Sequence, residues 1–241
     1  MFKKPIRAVL LDVDGTLYHQ GALRLLMTSE LCTLPFLRMS LGSACSTWRS
    51  LACFRLVREE LRQVGKAESS LARRQYLEVA RRTGEDPIAM ERVVSEWFYE
   101  RPLKYLRFCR RRGVDEFFSF LEAKNILAGV FSDYPVHHKL RALGLSNRVS
   151  LALCATDPEI NAFKPNPKGF LHACRIWGLQ PEKVLYVGDR PEIDATGAAN
   201  AGMHCAILRR RTMIRNRHES RRACAIVSSF KELQDVVTAN P

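Results

Sequence analysis

The chain has 241 residues, of which 46% are hydrophobic and 26% charged, a composition typical of a globular protein and too apolar for a disordered one. It carries 38 lysines and arginines against 25 aspartates and glutamates, so its net charge of +13 suggests a polyanionic partner. The longest run without a charged side chain is residues 195–208. It is shorter than the ~18 residues that a membrane-spanning helix needs, so the sequence predicts no such helix.

The first predicted strand covers residues 6–13 and ends in two carboxylates. Asp12 and Asp14 alternate with Val13, so both point to the same side of an extended strand, and Gly15 permits the sharp turn that follows. Paired carboxylates at the carboxyl end of a strand are suitable ligands for a divalent cation such as Mg²⁺. A polar turn after a strand is the alternative interpretation.

Residues 20–118 show helical patterns without intervening strands. Residues 22–62 predict two or three short helices, and residues 67–83 predict an amphipathic helix. Asp86 and the proline after it predict the N-cap and first turn of another helix, which reaches about residue 99. The segment is therefore predicted to be an all-helical insertion.

From residue 124 onward, predicted strands alternate with predicted helices. The strands are apolar runs at residues 126–131, 149–154, 184–187 and 205–208, and the helices lie at residues 135–143, 167–177, 194–201 and 230–237. This alternation is typical of βαβ units. The predicted fold is α/β, a Rossmann-like open parallel sheet built from residues 1–19 and 119–241, with residues 20–118 as an inserted helical cap.

Two polar side chains follow the second and third predicted strands. Ser132 stands at a strand end before a proline-initiated helix, where it could donate to a phosphate oxygen or simply cap the helix. Lys164 lies between an aromatic residue and a proline, in a loop whose backbone is restricted. An ordinary solvated surface lysine is the alternative for Lys164.

The fourth predicted strand ends in Gly188 and Asp189, and Asp194 follows five residues later. Asp194 could cap the helix that begins after it, whereas Asp189 at the strand tip has no obvious structural role. Because the carboxyl ends of parallel strands meet at one edge of a sheet, all of these polar residues are predicted to lie together.

The four motifs, taken in order, resemble the signature of the haloacid dehalogenase superfamily. They are DVDGT from Asp12, the strand-end Ser132, Lys164 in FKPNP, and GDRPEID from Gly188. The resemblance covers roughly residues 6–19 and 124–208. The helical insertion after the first motif resembles the cap of that superfamily's phosphoglycolate phosphatase-like branch.

This resemblance implies a Mg²⁺-dependent phosphomonoester hydrolase. Asp12 would be the nucleophile that forms an aspartyl-phosphate, and Asp14 would protonate the leaving alcohol and then deprotonate the attacking water. The phosphate-binding residues would be Gly15, Thr16, Ser132 and Lys164. Members that cleave carbon–halogen bonds lack an acid at the second position, so the presence of Asp14 favours ester hydrolysis.

The resemblance also implies the metal ligands. Mg²⁺ would be bound by a carboxylate oxygen of Asp12, the backbone carbonyl of Asp14, and Asp189. Asp194 would be a ligand through water or a partner that orients Lys164. The substrate is expected to be a small phosphorylated molecule.

Two features of the sequence leave the substrate open. Residues 22–54 are unusually apolar, which predicts either the core of the helical bundle or a surface that accepts a lipid or prenyl phosphate. The stretch from Arg209 to Arg222 contains seven arginines and one glutamate, and is either a solvated basic loop or a docking site for an anionic membrane surface, nucleic acid or a polyphosphorylated substrate. It has no aromatic residue for stacking on single strands, and nucleic acid is disfavoured.

The alternatives are therefore a lipid or prenyl phosphate phosphatase at an anionic membrane surface, and a non-catalytic scaffold that uses the basic stretch. The eight cysteines form no C-x-x-C pair, and most have apolar neighbours, which predicts buried thiols in a reducing compartment. Since no targeting segment precedes the first strand, a cytoplasmic protein is expected, with a location at the membrane periphery as the alternative.

Overall fold

The computed structural model describes residues 5–37, 41–64, 69–209 and 224–239. Its strands are β1 (Ala8–Leu11), β2 (Leu127–Ser132), β3 (Leu151–Cys154), β4 (Val184–Gly188), β5 (His204–Leu208) and β6 (Cys224–Val227). They form one sheet in the order β3-β2-β1-β4-β5-β6, and every neighbouring pair is parallel. The predicted Rossmann-like α/β fold is confirmed.

The strand order places the first motif at the centre of the sheet. Strands are added on one side of β1 as far as β3 and on the other side from β4 onward, so the order reverses between β1 and β4. Such a reversal leaves a crevice at the carboxyl ends of the two strands. Leu11 pairs with Val130 and Val187, so Asp12 and Asp189 follow adjacent strand ends beside this crevice.

The helices are α1 (Gln20–Leu37), α2 (Leu41–Val64), α3 (Leu71–Thr83), α4 (Pro87–Val94), α5 (Leu103–Cys109), α6 (Val114–Ala123), α7 (His137–Ala142), α8 (Lys168–Trp177), α9 (Thr196–Asn200) and α10 (Phe230–Thr238). Two helices cover residues 22–62, as predicted, but they are not short, since α1 and α2 span 18 and 24 residues. Charged residues within these helices do not end them, because Arg24 and Arg49 are exposed to solvent. The predicted helix N-cap at Asp86 is confirmed, because its side chain accepts a hydrogen bond from the amide of Ala89.

Both faces of the sheet are covered by helices. Val9 and Leu11 of β1 join one apolar cluster, and Ala8 and Leu10 join the other, as expected for a strand buried on both sides. The first cluster includes Phe117, Phe118, Leu140, Phe230 and Leu233 from α6, α7 and α10, and the second includes Phe54, Leu71, Phe170 and Ala198 from α2, α3, α8 and α9.

The chain leaves the sheet and returns to it at a short antiparallel bridge between Tyr18 and Arg110. Helix α6 begins soon afterwards, and its residues Phe117 and Phe118 pack in the same cluster as the sheet. The residues predicted as the insertion, 20–118, therefore include the first turn of a helix that packs on the sheet. A separate cap domain with these bounds stays a prediction.

The structure tests the predictions for the basic stretch and for the cysteines only in part. Of the predicted basic stretch, Arg209 is described, and residues 210–222 lie outside the described residues. All eight cysteines are free thiols, four of them buried, whereas Cys32 and Cys45 are exposed, so the expectation of burial holds for only half. None of the helices in the described ranges is long and apolar enough to cross a bilayer.

Candidate active site

Asp12 lies directly after β1 and is buried at the sheet edge. Its backbone amide donates to the carbonyl of Val187 at 2.8 Å, which fixes it beside β4. One carboxylate oxygen accepts a hydrogen bond from Lys164 Nζ at 2.7 Å, and the other lies 3.5 Å from the hydroxyl of Thr16. The carboxylate is thus held in place with one oxygen only weakly bound.

Lys164 is buried rather than solvated, which rules out the surface-lysine interpretation; its exposed fraction is 3%. Its Nζ donates to Asp12 at 2.7 Å, Asp194 at 2.8 Å and the hydroxyl of Tyr186 at 2.9 Å. Burial lowers the pKa of Lys164, but the two carboxylates outweigh it and raise the pKa well above its ordinary value. The side chain is therefore a fixed positive charge.

Asp194 binds the strand-end loop instead of capping the helix after it. Its Oδ2 accepts hydrogen bonds from the backbone amides of Asp189 at 3.1 Å and Arg190 at 3.0 Å, while its Oδ1 accepts from Lys164. No side-chain cap is present at the start of α9. The helix-cap interpretation is wrong because both oxygens are already engaged by the loop and the lysine.

Gly188 allows this close approach of Asp194 to β4. A Cβ atom at position 188 would overlap the Asp194 carboxylate. We expect Gly188→Ala to push that carboxylate away from Lys164 and to lower the free energy of unfolding by about 1–3 kcal/mol, as overpacking does. Urea denaturation measures the change. Gly21→Ala is the control, since no atom lies within 4 Å of a Cβ there, and equal losses in the two variants would contradict the packing argument.

Asp14 faces a separate group of donors. Its carboxylate accepts hydrogen bonds from Ser132 Oγ at 2.8 Å, from Lys139 Nζ and from the hydroxyl of Tyr18. Burial raises the pKa of Asp14, but the charge and hydrogen bond of Lys139, with the two hydroxyls, outweigh it and lower the pKa. Ser132 also accepts from the amide of Tyr134 at 3.1 Å, and so orders the loop before α7 rather than the helix itself.

Sequence reasoning missed Lys139 and Tyr18. Lys139 is 5% exposed, and it lies at the position three residues after Val136 and one before Leu140. This is an apolar-face position of the predicted helix. A lysine on the apolar face of a helix could have indicated this contact, because a buried positive charge requires a nearby carboxylate.

Asp12, Asp189 and Asp194 form a carboxylate cluster whose nearest oxygens lie within 4.8 Å of one another. One oxygen of Asp189 is buried without a hydrogen-bond partner among the described residues. Burial and the charge of Asp194 raise the pKa of Asp189 to about 6, and burial, together with the neighbouring carboxylates, raises that of Asp12 well above its usual range. An oxygen-only cluster with excess negative charge fits a hard divalent cation.

The side chain of Asp14 does not join this cluster, so its predicted part in metal binding depends on its backbone carbonyl alone. Gly15 lies against the carboxylate of Asp189, which a Cβ atom at position 15 would overlap, and its φ of +96° suits glycine. The carbonyl of Gly15 accepts hydrogen bonds from the guanidinium of Arg111 at 2.8 and 3.0 Å. The turn after β1 is thereby locked beside the cluster.

Helix α2 docks on the loops that carry the site. Arg62 pairs with Asp133 at 2.7 Å and also donates to the backbone carbonyl of Lys164. Arg58 donates to the carbonyl of Asp133 at 2.6 Å and stacks over the ring of Tyr134 at 4.1 Å. The sequence did not predict these contacts, which join the helical segment to the loops after β2 and β3.

The site opens into a cavity of about 800 Å³. Its floor contains Asp12, Asp14, Ser132, Lys164, Asp189 and Asp194, so the structure brings these six predicted residues together. The wall that α1 and α2 contribute includes Leu23, Met27, Leu31, Trp48 and Leu51. The apolar segment of residues 22–54 contributes both to the core and to the cavity. Leu23, Leu31 and Phe54 are buried, whereas Trp48 is 53% exposed.

Comparisons with known proteins agree on one family. The family model for haloacid dehalogenase-like hydrolases matches residues 6–202. The chain is 32% identical over 211 residues to a glyceraldehyde 3-phosphate phosphatase of Methanopyrus kandleri, covering 85% of this chain and 84% of the relative. It is also 32% identical over 100 residues to an N-acetylmuramic acid 6-phosphate phosphatase of Pseudomonas putida, covering 40% and 44% of the two chains.

Two solved structures share the fold. A phosphatase of Thermococcus onnurineus superposes with a TM-score of 0.64 at 22% identity, covering 96% of this chain and 98% of the other. A 2-haloacid dehalogenase of Pseudomonas syringae superposes with a TM-score of 0.63 at 23% identity, covering 97% and 99%. Proteins of different reaction types therefore share this architecture, and the reaction must be argued from the site.

Proposed function

The chain belongs to the haloacid dehalogenase-like hydrolases, and we propose that it is a Mg²⁺-dependent phosphomonoester hydrolase that acts through an aspartyl-phosphate on Asp12. The observation that carries this proposal is the pair of acids at one cavity floor: Asp12 held by Lys164, and Asp14 held separately by Lys139. The two curated relatives described above are phosphatases, which supports the same reaction class.

In the first step, a carboxylate oxygen of Asp12 attacks phosphorus, and the bond between phosphorus and the alcohol oxygen breaks. The electron pair stays on the alcohol oxygen, which takes a proton from Asp14. Lys139, Tyr18 and Ser132 lower the pKa of Asp14 in the free site, so this proton is taken up when the negative phosphate enters and raises that pKa.

In the second step, Asp14 accepts a proton from water as the water oxygen attacks phosphorus, and the bond from phosphorus to Asp12 breaks. The products are the alcohol and inorganic phosphate. Asp12 is again a carboxylate, and Asp14 is again protonated, as it was before the first step, and releases that proton when the phosphate leaves. The low pKa of Asp14, held down by Lys139, favours the ionised form that this step needs.

The transferring phosphoryl group needs fixed donors around its oxygens. Lys164 supplies a buried positive charge, and Ser132 supplies a hydroxyl on the cavity floor. Gly15 and Thr16, which are buried beside Asp12, would contribute backbone or hydroxyl contacts to the phosphate. Asp194 acts on Lys164, since it holds the ammonium group in line with Asp12.

Asp12, the backbone carbonyl of Asp14 and Asp189 would hold Mg²⁺, with Asp194 as a partner through water or through Lys164. When bound, the cation supplies positive charge that offsets the charge of the phosphate and of the carboxylates. The unpartnered oxygen of Asp189 supports this assignment.

Metal removal tests the proposal. With p-nitrophenyl phosphate as substrate, we expect EDTA to reduce turnover by roughly 10²-fold or more and added Mg²⁺ to restore it. Asp189→Asn should no longer respond to Mg²⁺, in activity or in thermal denaturation, because a charged ligand is lost. Asp235→Asn, an exposed change on α10, is the matched control. Full activity of the wild type in EDTA would contradict the metal assignment.

Dehalogenation is the competing chemistry, since a 2-haloacid dehalogenase has the same fold. A halide leaves without a proton, whereas the alcohol of a phosphate ester needs one, and Asp14 on the cavity floor is placed to supply it. Release of halide from 2-haloacids without phosphate release from any ester would favour the competing reaction.

The membrane-surface and scaffold alternatives have less support. The stretch from Arg209 to Arg222 lies almost entirely outside the described residues, so membrane docking still depends on sequence alone. A scaffold has no physical need for buried, mutually oriented Asp12, Lys164 and Asp194.

A further inference from the structure

The wall that α1 and α2 contribute to the cavity carries two arginines. Arg24 of α1 and Arg55 of α2 both line the same cavity as Asp12, and both are exposed. Arg24 is steadied by a hydrogen bond to the side-chain oxygen of Gln20 at 2.9 Å. The guanidinium of Arg55 lies 5.2 Å from the centre of the Phe98 ring.

These two arginines differ from the other two that line the cavity. Arg62 pairs with Asp133 and Glu59, and Arg190 pairs with Glu59 and Glu192. For Arg24 and Arg55, the described part of the chain provides no carboxylate partner. Both positive charges therefore line the cavity without a neutralising carboxylate among the described residues.

The two guanidinium groups also act on each other. Burial lowers the pKa of Arg55, and the positive charge of Arg24 lowers it further. Two like charges at one wall repel, and an anion bound between them relieves the repulsion and gains charge-assisted hydrogen bonds. The apolar side chains of Trp48 and Leu51 at the same wall reduce the competition from water.

We propose that the substrate carries a second anionic group, a carboxylate or a second phosphate, which binds to Arg24 and Arg55 while its scissile phosphate lies at Asp12. This inference rests on the proposed phosphatase function and narrows its substrate class. The substrates would be phosphorylated acids or bisphosphates, with the apolar part of the wall covering the carbon chain that joins the two anions.

The test compares two series of linear alkyl phosphates of increasing chain length. One series ends in a carboxylate, and the other ends in a carboxamide that matches it in shape but is neutral. At the best chain length, we expect kcat/KM of the carboxylate to exceed that of the carboxamide by about 10- to 100-fold, the range of a charge-assisted contact. A third series that ends in a phosphonate distinguishes a second phosphate from a carboxylate as the preferred group.

Three variants locate the effect. Arg24→Gln and Arg55→Gln should each reduce the ratio of kcat/KM between the charged and neutral series, and the double variant should bring it close to one. Arg73→Gln removes the same charge from an exposed position of α3 outside the cavity, and should keep the wild-type ratio.

The outcomes separate the two proposals. Equal kcat/KM for the charged and neutral series at every length would overturn the second-anion site alone. An equal loss of the ratio in Arg73→Gln would also overturn it, since general attraction would then explain the preference. Failure to hydrolyse p-nitrophenyl phosphate and every member of the series would overturn the phosphatase function itself.

Discussion

Replacement of Asp12 by asparagine is expected to reduce kcat for p-nitrophenyl phosphate by about 10⁴-fold or more, the scale seen when a covalent nucleophile is removed. The carboxamide keeps the shape of the side chain but cannot form the bond to phosphorus. Initial rates in Mg²⁺ measure the loss. Acid-quenched protein should carry covalent phosphate in the wild type and none in Asp12→Asn.

The same substitution is expected to spare the fold. Burial and the carboxylates of Asp194 and Asp189 raise the pKa of Asp12 although Lys164 lowers it, and in Asp12→Asn the lysine keeps Asp194 as its charged partner. A neutral side chain should therefore leave the free energy of unfolding in EDTA unchanged or higher, as urea denaturation would show. Retention of more than a tenth of the wild-type kcat would refute Asp12 as the nucleophile.

The central part of the site could be predicted because it depends on short-range sequence order. Asp12 and Asp189 each follow an apolar strand directly, and parallel strands bring their carboxyl ends to one edge whatever the strand order. The uninterrupted apolar sequence of β1 predicts a strand in the interior of the sheet, and all four of its residues are buried. For these residues, the position directly after a strand in the sequence is enough to predict their location at the carboxyl edge of the sheet.

The remaining contacts depend on packing between distant segments, which a single sequence does not encode in a readable pattern. Lys139 reaches Asp14 only because α7 packs on α5 in one particular rotation. Arg58 and Arg62 were indistinguishable from other arginines of a polar helix face until α2 was placed on the loops of the sheet. The sequence alone could not decide the role of Asp194. An aspartate before a helix can cap that helix or accept hydrogen bonds from the preceding loop.

The net charge of +13 gains a partial explanation at this site. Residues 20–118 carry much of the excess, and Arg24 and Arg55 within them face the cavity without a carboxylate partner among the described residues. Several carboxylates are concentrated on the catalytic floor, whereas Arg24 and Arg55 add positive charge to the wall from α1 and α2. Such an arrangement favours a substrate that is anionic at both ends, provided that a cation offsets the floor.

Replacement of Lys164 by methionine is expected to lower the free energy of unfolding in EDTA by about 3–5 kcal/mol, because it removes one partner of a buried charge network. Lys164 Nζ contacts Asp12 at 2.7 Å and Asp194 at 2.8 Å, and neither contact is replaced by water at a site this buried. Methionine fills a similar volume, so the loss reports charge rather than a cavity. Urea denaturation measures it.

Lys168→Met is the matched control, since that lysine is exposed at the start of α8 and its replacement should change stability by no more than about 0.5 kcal/mol. Mg²⁺ provides a second comparison. If the carboxylates bind the cation, Mg²⁺ should recover part of the stability of Lys164→Met, yet turnover should stay low because the phosphoryl oxygens have lost their donor. Equal stability of Lys164→Met and Lys168→Met in EDTA would show that the buried carboxylates are neutral without the lysine, and the ion-pair description of the resting site would then be wrong.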